Sequence, residues 1–92
     1  MEKIINGIKF NLIKDYRDGY DKEEIENKLT DYFYDYDYVV GDWSYGKLRL
    51  KGFCKKENKK FNKINDYNNL ENYLKNECAY DCRYFVMEKI ND

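Results

Sequence analysis

The sequence predicts an α+β domain. One sheet of about five strands, antiparallel or mixed, carries two helices packed on one face, in the order β-β-α-β-β-α-β across residues 1–92. Three patterns predict it. Alternating apolar segments flank tight-turn residues, a helical spacing starts at Asp21, and the run Arg83-Tyr84-Phe85-Val86-Met87 has the character of a strand buried on both faces.

The first strands meet at Asn6-Gly7, the pair that a type I′ hairpin turn favours because both positions need positive φ. Ile8, Phe10 and Leu12 alternate beyond it, so the second strand buries one face. The chain then breaks at Asp18-Gly19.

Asp21 followed by Glu24 has the form of a capping box. Ile25, Leu29, Tyr32, Phe33 and Tyr36 continue at helical spacing, which predicts a first helix reaching Tyr36. Glu23, Asn27, Thr30 and Asp31 lie on its other faces.

Residues 37–42 and 47–53 read as two strands around the loop Gly41–Gly46. Leu48 and Leu50 alternate with Lys47, Arg49 and Lys51, so a core face opposes a basic face turned outward. Gly52 before Phe53 breaks the alternation and suggests a bulge or sharp twist. Residues 55–65 are polar, basic and without period, a loop. A second helix starts near Asp66, turns Leu70, Tyr73 and Leu74 inward, and ends before Cys78.

Composition bounds the function. Ninety-two residues form one small domain, which buries roughly 60–65% of its unfolded surface and has little room for a deep pocket besides its core. No run of ~18 apolar residues exists, so no transmembrane helix is expected. The start MEKIINGIKF lacks the layout of a signal peptide, so the expected compartment is the cytoplasm and the three cysteines are expected as thiols. Net charge is −1, unevenly spread: residues 15–42 hold ten acids against three bases, and residues 47–63 eight bases against Glu57.

The residues Tyr36-Asp37-Tyr38, Val40-Gly41-Asp42-Trp43, Tyr45-Gly46 and Leu48-Arg49-Leu50-Lys51-Gly52-Phe53 resemble the YutD-like family, small proteins of low-GC Gram-positive bacteria. Cys78, Cys82 and Tyr84-Phe85-Val86 extend the resemblance to the C-terminus, so that it covers essentially the whole chain. It implies an α+β domain and brings no catalytic assignment.

The candidate binding residues are Asp42, Trp43, Tyr45, Lys47, Arg49 and Lys51. Aromatic rings beside cations suit stacking on nucleic-acid bases with phosphate contacts. A structural account competes: the glycines permit the turn, Asp42 caps it, and Trp43 covers a core edge. The basic stretch could contact phosphates, although a chain of pI near 5.5 lacks the usual basic footprint.

Cys54, Cys78 and Cys82 with Asp81 have the wrong spacing for a closed zinc site, and are expected as small buried side chains. Asp31, Asp35, Asp37 and Asp42 fall on changing faces, and no histidine is present to serve as general base. No cofactor and no metal are therefore expected. The sequence favours a non-enzymatic binding module whose first candidate partner is RNA or a ribonucleoprotein. The alternative is a protein-interaction domain whose acidic helix face, with Glu23, Glu26 and Asp31, docks on a basic partner through charge and its aromatic loop.

Overall fold

Asn6 and Gly7 adopt φ of 51° and 81°, the left-handed pair that a type I′ turn needs. They fold β1 (Glu2–Ile5) back on β2 (Ile8–Tyr16). The computed structural model describes residues 1–77 and 82–90. β2 runs past Leu12, and a register shift between Leu12 and Lys14 leaves Ile13 exposed while Phe10 stays buried.

Helix α1 (Lys22–Lys28) starts as its capping residues require: the Glu24 N–H donates to Asp21 Oδ1 at 3.2 Å. It stops at Leu29, which is extended (ψ 118°), and only a short 3-10 turn, Asp31–Phe33, follows. The helix therefore ends well before Tyr36. Residues 30–36 are Thr, Asp, Tyr and Phe, all weak helix formers. Freed from the helix, the Tyr36 ring packs over Gly52, where a Cβ would come within 2.5 Å of it. That contact explains Gly52 without a bulge, because the pairing of β3 (Tyr38–Ser44) with β4 (Lys47–Phe53) is unbroken.

The turn between β3 and β4 is only Tyr45-Gly46, with φ of 53° and 75°. Gly41 and Trp43 are strand residues, not loop residues, which shortens the expected Gly41–Gly46 loop. After the 55–65 segment, Asp66 caps a 3-10 turn, Tyr67–Asn69, by accepting from the Asn68 N–H at 2.9 Å. Helix α2 (Leu70–Glu77) follows directly, and β5 (Tyr84–Lys89) completes the chain.

The sheet order is β1-β2-β5-β3-β4, with every neighbouring pair antiparallel. The last strand is thus the central one, as its apolar run requires. Its residues alternate between two cores. Phe85 and Met87 join Phe10, Ile25, Leu29 and Leu48 on the α1 side. Val86 joins Tyr38, Val40 and Phe53 on the other side, under Leu70, Tyr73 and Leu74 of α2. The helices therefore cover opposite faces of the sheet, which corrects the expectation of one shared face. β3 and β5 are apolar at both parities, so each face needs its own cover. Among the described residues no helix is long and apolar enough to cross a membrane.

Cys54 is a buried free thiol whose burial raises its pKa above the ordinary 9.0. Cys82 is disulfide-bonded, which corrects the expectation of three thiols. Compartment bears on whether a bridge persists, and local geometry on which cysteines can form one, a relation that spacing in the sequence does not reveal. Cys78 and Asp81 lie outside the described residues.

Candidate functional site

Strand parity divides the candidate residues between the two faces of the sheet. On β3, Val39, Gly41 and Trp43 turn toward α1, and Val40 and Asp42 turn toward α2. Gly41 lies against the Phe85 ring, where a Cβ would come within 2.2 Å of ring carbons. Trp43 is fixed on the α1 side. Its Nε1–H donates to the Gly19 carbonyl at 2.8 Å, and the Arg83 guanidinium lies 4.3 Å from its ring centroid.

Asp42 faces α2 and is 1% exposed. It does not cap the turn. Arg49, its cross-strand partner, donates through Nε to Oδ1 at 2.8 Å and through Nη2 to Oδ2 at 3.2 Å. The Tyr73 hydroxyl of α2 adds a third bond, to Oδ2 at 3.2 Å. A buried carboxylate needs such partners, and here it ties two strands to a helix. The sequence predicts Tyr73 only as an inward residue of the second helix, not as a candidate binding residue. An inward position on α2 was legible, but its polar end had no visible partner.

Lys51 lies on the same side, with its ammonium 5.6 Å from the ring centroids of both Phe53 and Tyr73. It lines an open cleft of about 430 Å³ with Lys63, Ile64, Asn69, Asn72 and Asn76. The asparagines at 69, 72 and 76 follow helical spacing, a signal present in the sequence. Tyr45 is fully exposed at the hairpin tip, and Lys47 is exposed beside it. The expected group of aromatic rings beside cations is therefore divided. Trp43 is on one face, Arg49 and Lys51 are on the other, and Tyr45 with Lys47 is at the tip. On the basic side of β4 Lys47 and Arg49 are exposed as expected, while the Tyr73 ring of α2 covers part of that side at Asp42 and Lys51.

The charge asymmetry is partly consumed inside the molecule. The Lys55 N–H donates to Asp37 Oδ2 at 2.7 Å, Asn58 Nδ2 donates to the Asp35 carbonyl at 2.8 Å, and Lys60 pairs with Asp35 at 3.6 Å. The basic 55–65 segment is thus folded against the acidic 35–37 segment. Lys55 also meets Glu88 at 3.1 Å, and that carboxylate raises the lysine pKa above its ordinary value. Tyr32 and Tyr36 share a hydroxyl hydrogen bond of 3.1 Å, which together with burial lifts the Tyr36 pKa to about 12. Glu23, Glu26 and Asp31 are exposed, and Glu26 lies 4.0 Å from Lys22. No group of three or more Cys, Asp or Glu among the described residues is placed to hold a metal ion.

Two further clefts accompany the first along β4. One, of about 520 Å³, is lined by Phe33, Leu48, Leu50, Lys28 and Arg49. The other, of about 210 Å³, lies between Tyr32, Tyr36, Gly52 and Ile64. Tyr32 and Ile64 are exposed large side chains.

Comparison with known proteins bears on the whole chain. The family model described as "Putative antitoxin YutD-like" matches residues 4–88. A Bacillus subtilis (strain 168) protein named "Putative antitoxin YutD" is 37% identical over 87 residues, covering 95% of this chain and 96% of the relative. The solution NMR structure of protein yutD from B. subtilis superposes with a TM-score of 0.81 at 35% identity, covering 100% of this chain and 84% of that one.

Proposed function

The chain belongs to the YutD-like family, and from that premise and the surface along β4 we propose that it is a binding module, without catalytic chemistry of its own, that engages a protein partner. One observation carries the reading. Exposed Tyr32 and Ile64 border the clefts along β4, and Tyr45 stands fully exposed at the tip of the β3–β4 hairpin; large aromatic and apolar side chains are what protein interfaces concentrate at their centres. The relative's name, "Putative antitoxin YutD", is compatible with this reading, because neutralising a toxin by direct contact is a binding role.

RNA is the second reading. It is favoured by Lys51 and Lys63 beside three asparagines in one cleft. It has lost the stacking platform, because Trp43 is held on the opposite face and Arg49 is engaged by Asp42.

Pull-down of the tagged chain from native lysate, with and without nuclease, separates the two. A protein partner stays bound after nuclease, and a Tyr45→Ala, Ile64→Asp variant with unchanged stability loses it. RNA is removed by nuclease, and its binding falls with salt by about 0.7 in the log–log slope per phosphate contact.

A further inference from the structure

Among the described residues β4 ends the sheet, with β3 on one side and no strand on the other. The Tyr45-Gly46 turn fixes where its backbone groups point. In a hairpin with a two-residue turn the flanking residues exchange both hydrogen bonds, and the pattern then alternates. Lys47, Arg49 and Lys51 therefore turn N–H and C=O toward β3, while Leu48, Leu50 and Gly52 turn theirs outward. Cys54, next in the outward phase, shows the direction. Its N–H donates to the Asn65 carbonyl at 2.8 Å, and its carbonyl accepts from the Tyr67 N–H at 3.1 Å. The chain itself thus lays a segment on the far end of this edge, through the parallel bridge Cys54↔Asp66.

We propose that the rest of the edge, Leu48 to Gly52, receives an extended strand of a partner protein whose side chains alternate apolar and acidic. The proposal rests on the protein-binding reading and names its mode and the chemistry of the partner. An added strand would form main-chain bonds with Leu48, Leu50 and Gly52 and place alternate side chains in flanking clefts. On the α1 side the cleft offers Phe33, Leu48 and Leu50, an apolar seat. On the α2 side it offers Lys51, Lys63 and Asn72. The charged residues lining the three clefts are Lys28, Arg49, Lys51 and Lys63, all cations, so the complementary strand is acidic. The same charges argue against a second copy. Two β4 strands side by side would set Lys47, Arg49 and Lys51 against their own kind, which is destabilising and guards an open edge. RNA lacks the row of alternating donors and acceptors that this edge matches.

The test follows backbone amides by NMR on the intact chain. The probe is a short, end-capped peptide of alternating valine and glutamate. Its controls are a valine–lysine peptide, the valine–glutamate peptide N-methylated along one edge, and oligouridylate. The amides of Leu48, Leu50 and Gly52 should shift and gain protection from exchange with valine–glutamate. Valine–lysine should bind roughly tenfold more weakly, the size of a few cross-strand charge pairs. N-methylation should abolish binding, and Lys51→Glu with Lys63→Glu should invert the charge preference. Silence of the three amides at millimolar peptide, or an equal response to the N-methylated peptide or to oligouridylate, overturns strand addition. Capture of a nuclease-resistant partner with these amides unmoved in the complex also overturns it, yet leaves protein binding standing. Silence in the titration together with no captured protein overturns both.

Discussion

Asp42 and Arg49 face each other across the β3–β4 ladder and share two hydrogen bonds, of 2.8 and 3.2 Å, with the carboxylate buried and the guanidinium half in solvent. Burial is unequal, so the two partners are not equivalent. A stranded carboxylate under α2 cannot rehydrate, whereas a stranded Arg49 can swing into water. Arg49→Ala should cost roughly 3 kcal/mol. Lys51→Ala, which removes only a contact over Phe53 and Tyr73, should cost under about 1 kcal/mol. Denaturant unfolding measures both. Equal midpoints for the two variants would contradict the buried-anchor role of Asp42.

Gly41→Ala should destabilise by about 1–3 kcal/mol through overpacking, because the new methyl meets the Phe85 ring. Phe85→Leu should remove much of the clash, so the double variant should be less destabilised than the sum of the single ones. Additive losses in thermal melts would show that the glycine is needed for another reason.

Much of this fold was legible in the sequence, and the failures share a cause. Asn6-Gly7, Asp21 with Glu24, and Leu48 with Leu50 are local devices, and each appears where its pattern placed it. The end of α1 was not legible, because Phe33 and Tyr36 keep helical spacing while the residues around them favour other conformations. The Tyr36 ring also has a non-local seat on Gly52. The face of each helix depends on β3 and β5 being apolar on both sides, which periodicity within one segment does not reveal. At the site, Asp42 looked like a turn residue because Gly41 looked like a turn glycine. Only the Phe85 ring, more than forty positions away in sequence, shows what that glycine is for.

Trp43→Phe should cost about 1 kcal/mol through the bond to the Gly19 carbonyl. Trp43→Ala should cost roughly 3–5 kcal/mol. Neither should alter binding along β4 beyond the effect of reduced stability. A folded Trp43→Ala chain with normal stability and lost binding would return Trp43 to the site.

Stability should fall in alkali. The neutral Tyr36 phenol is favoured in the folded chain, with its pKa raised from 10.0 to about 12. Its contribution is complete below pH 10 and is lost as pH rises through 12. Burial raises Tyr20, Tyr38 and Tyr67 in the same direction. Phenolate absorbance should show a late-titrating group that moves to lower pH in Tyr32→Phe, which removes the hydroxyl partner of Tyr36. An unchanged titration in that variant would contradict the assignment.

Hydrogen exchange along β4 in the free chain tests most directly whether this strand is an open edge. The amides of Arg49 and Lys51, bonded to β3, should be protected, while those of Leu48, Leu50 and Gly52 between them should exchange rapidly. That alternation is the predicted result. Uniform protection from Leu48 to Gly52 would mean that the edge is already covered, and would contradict the account.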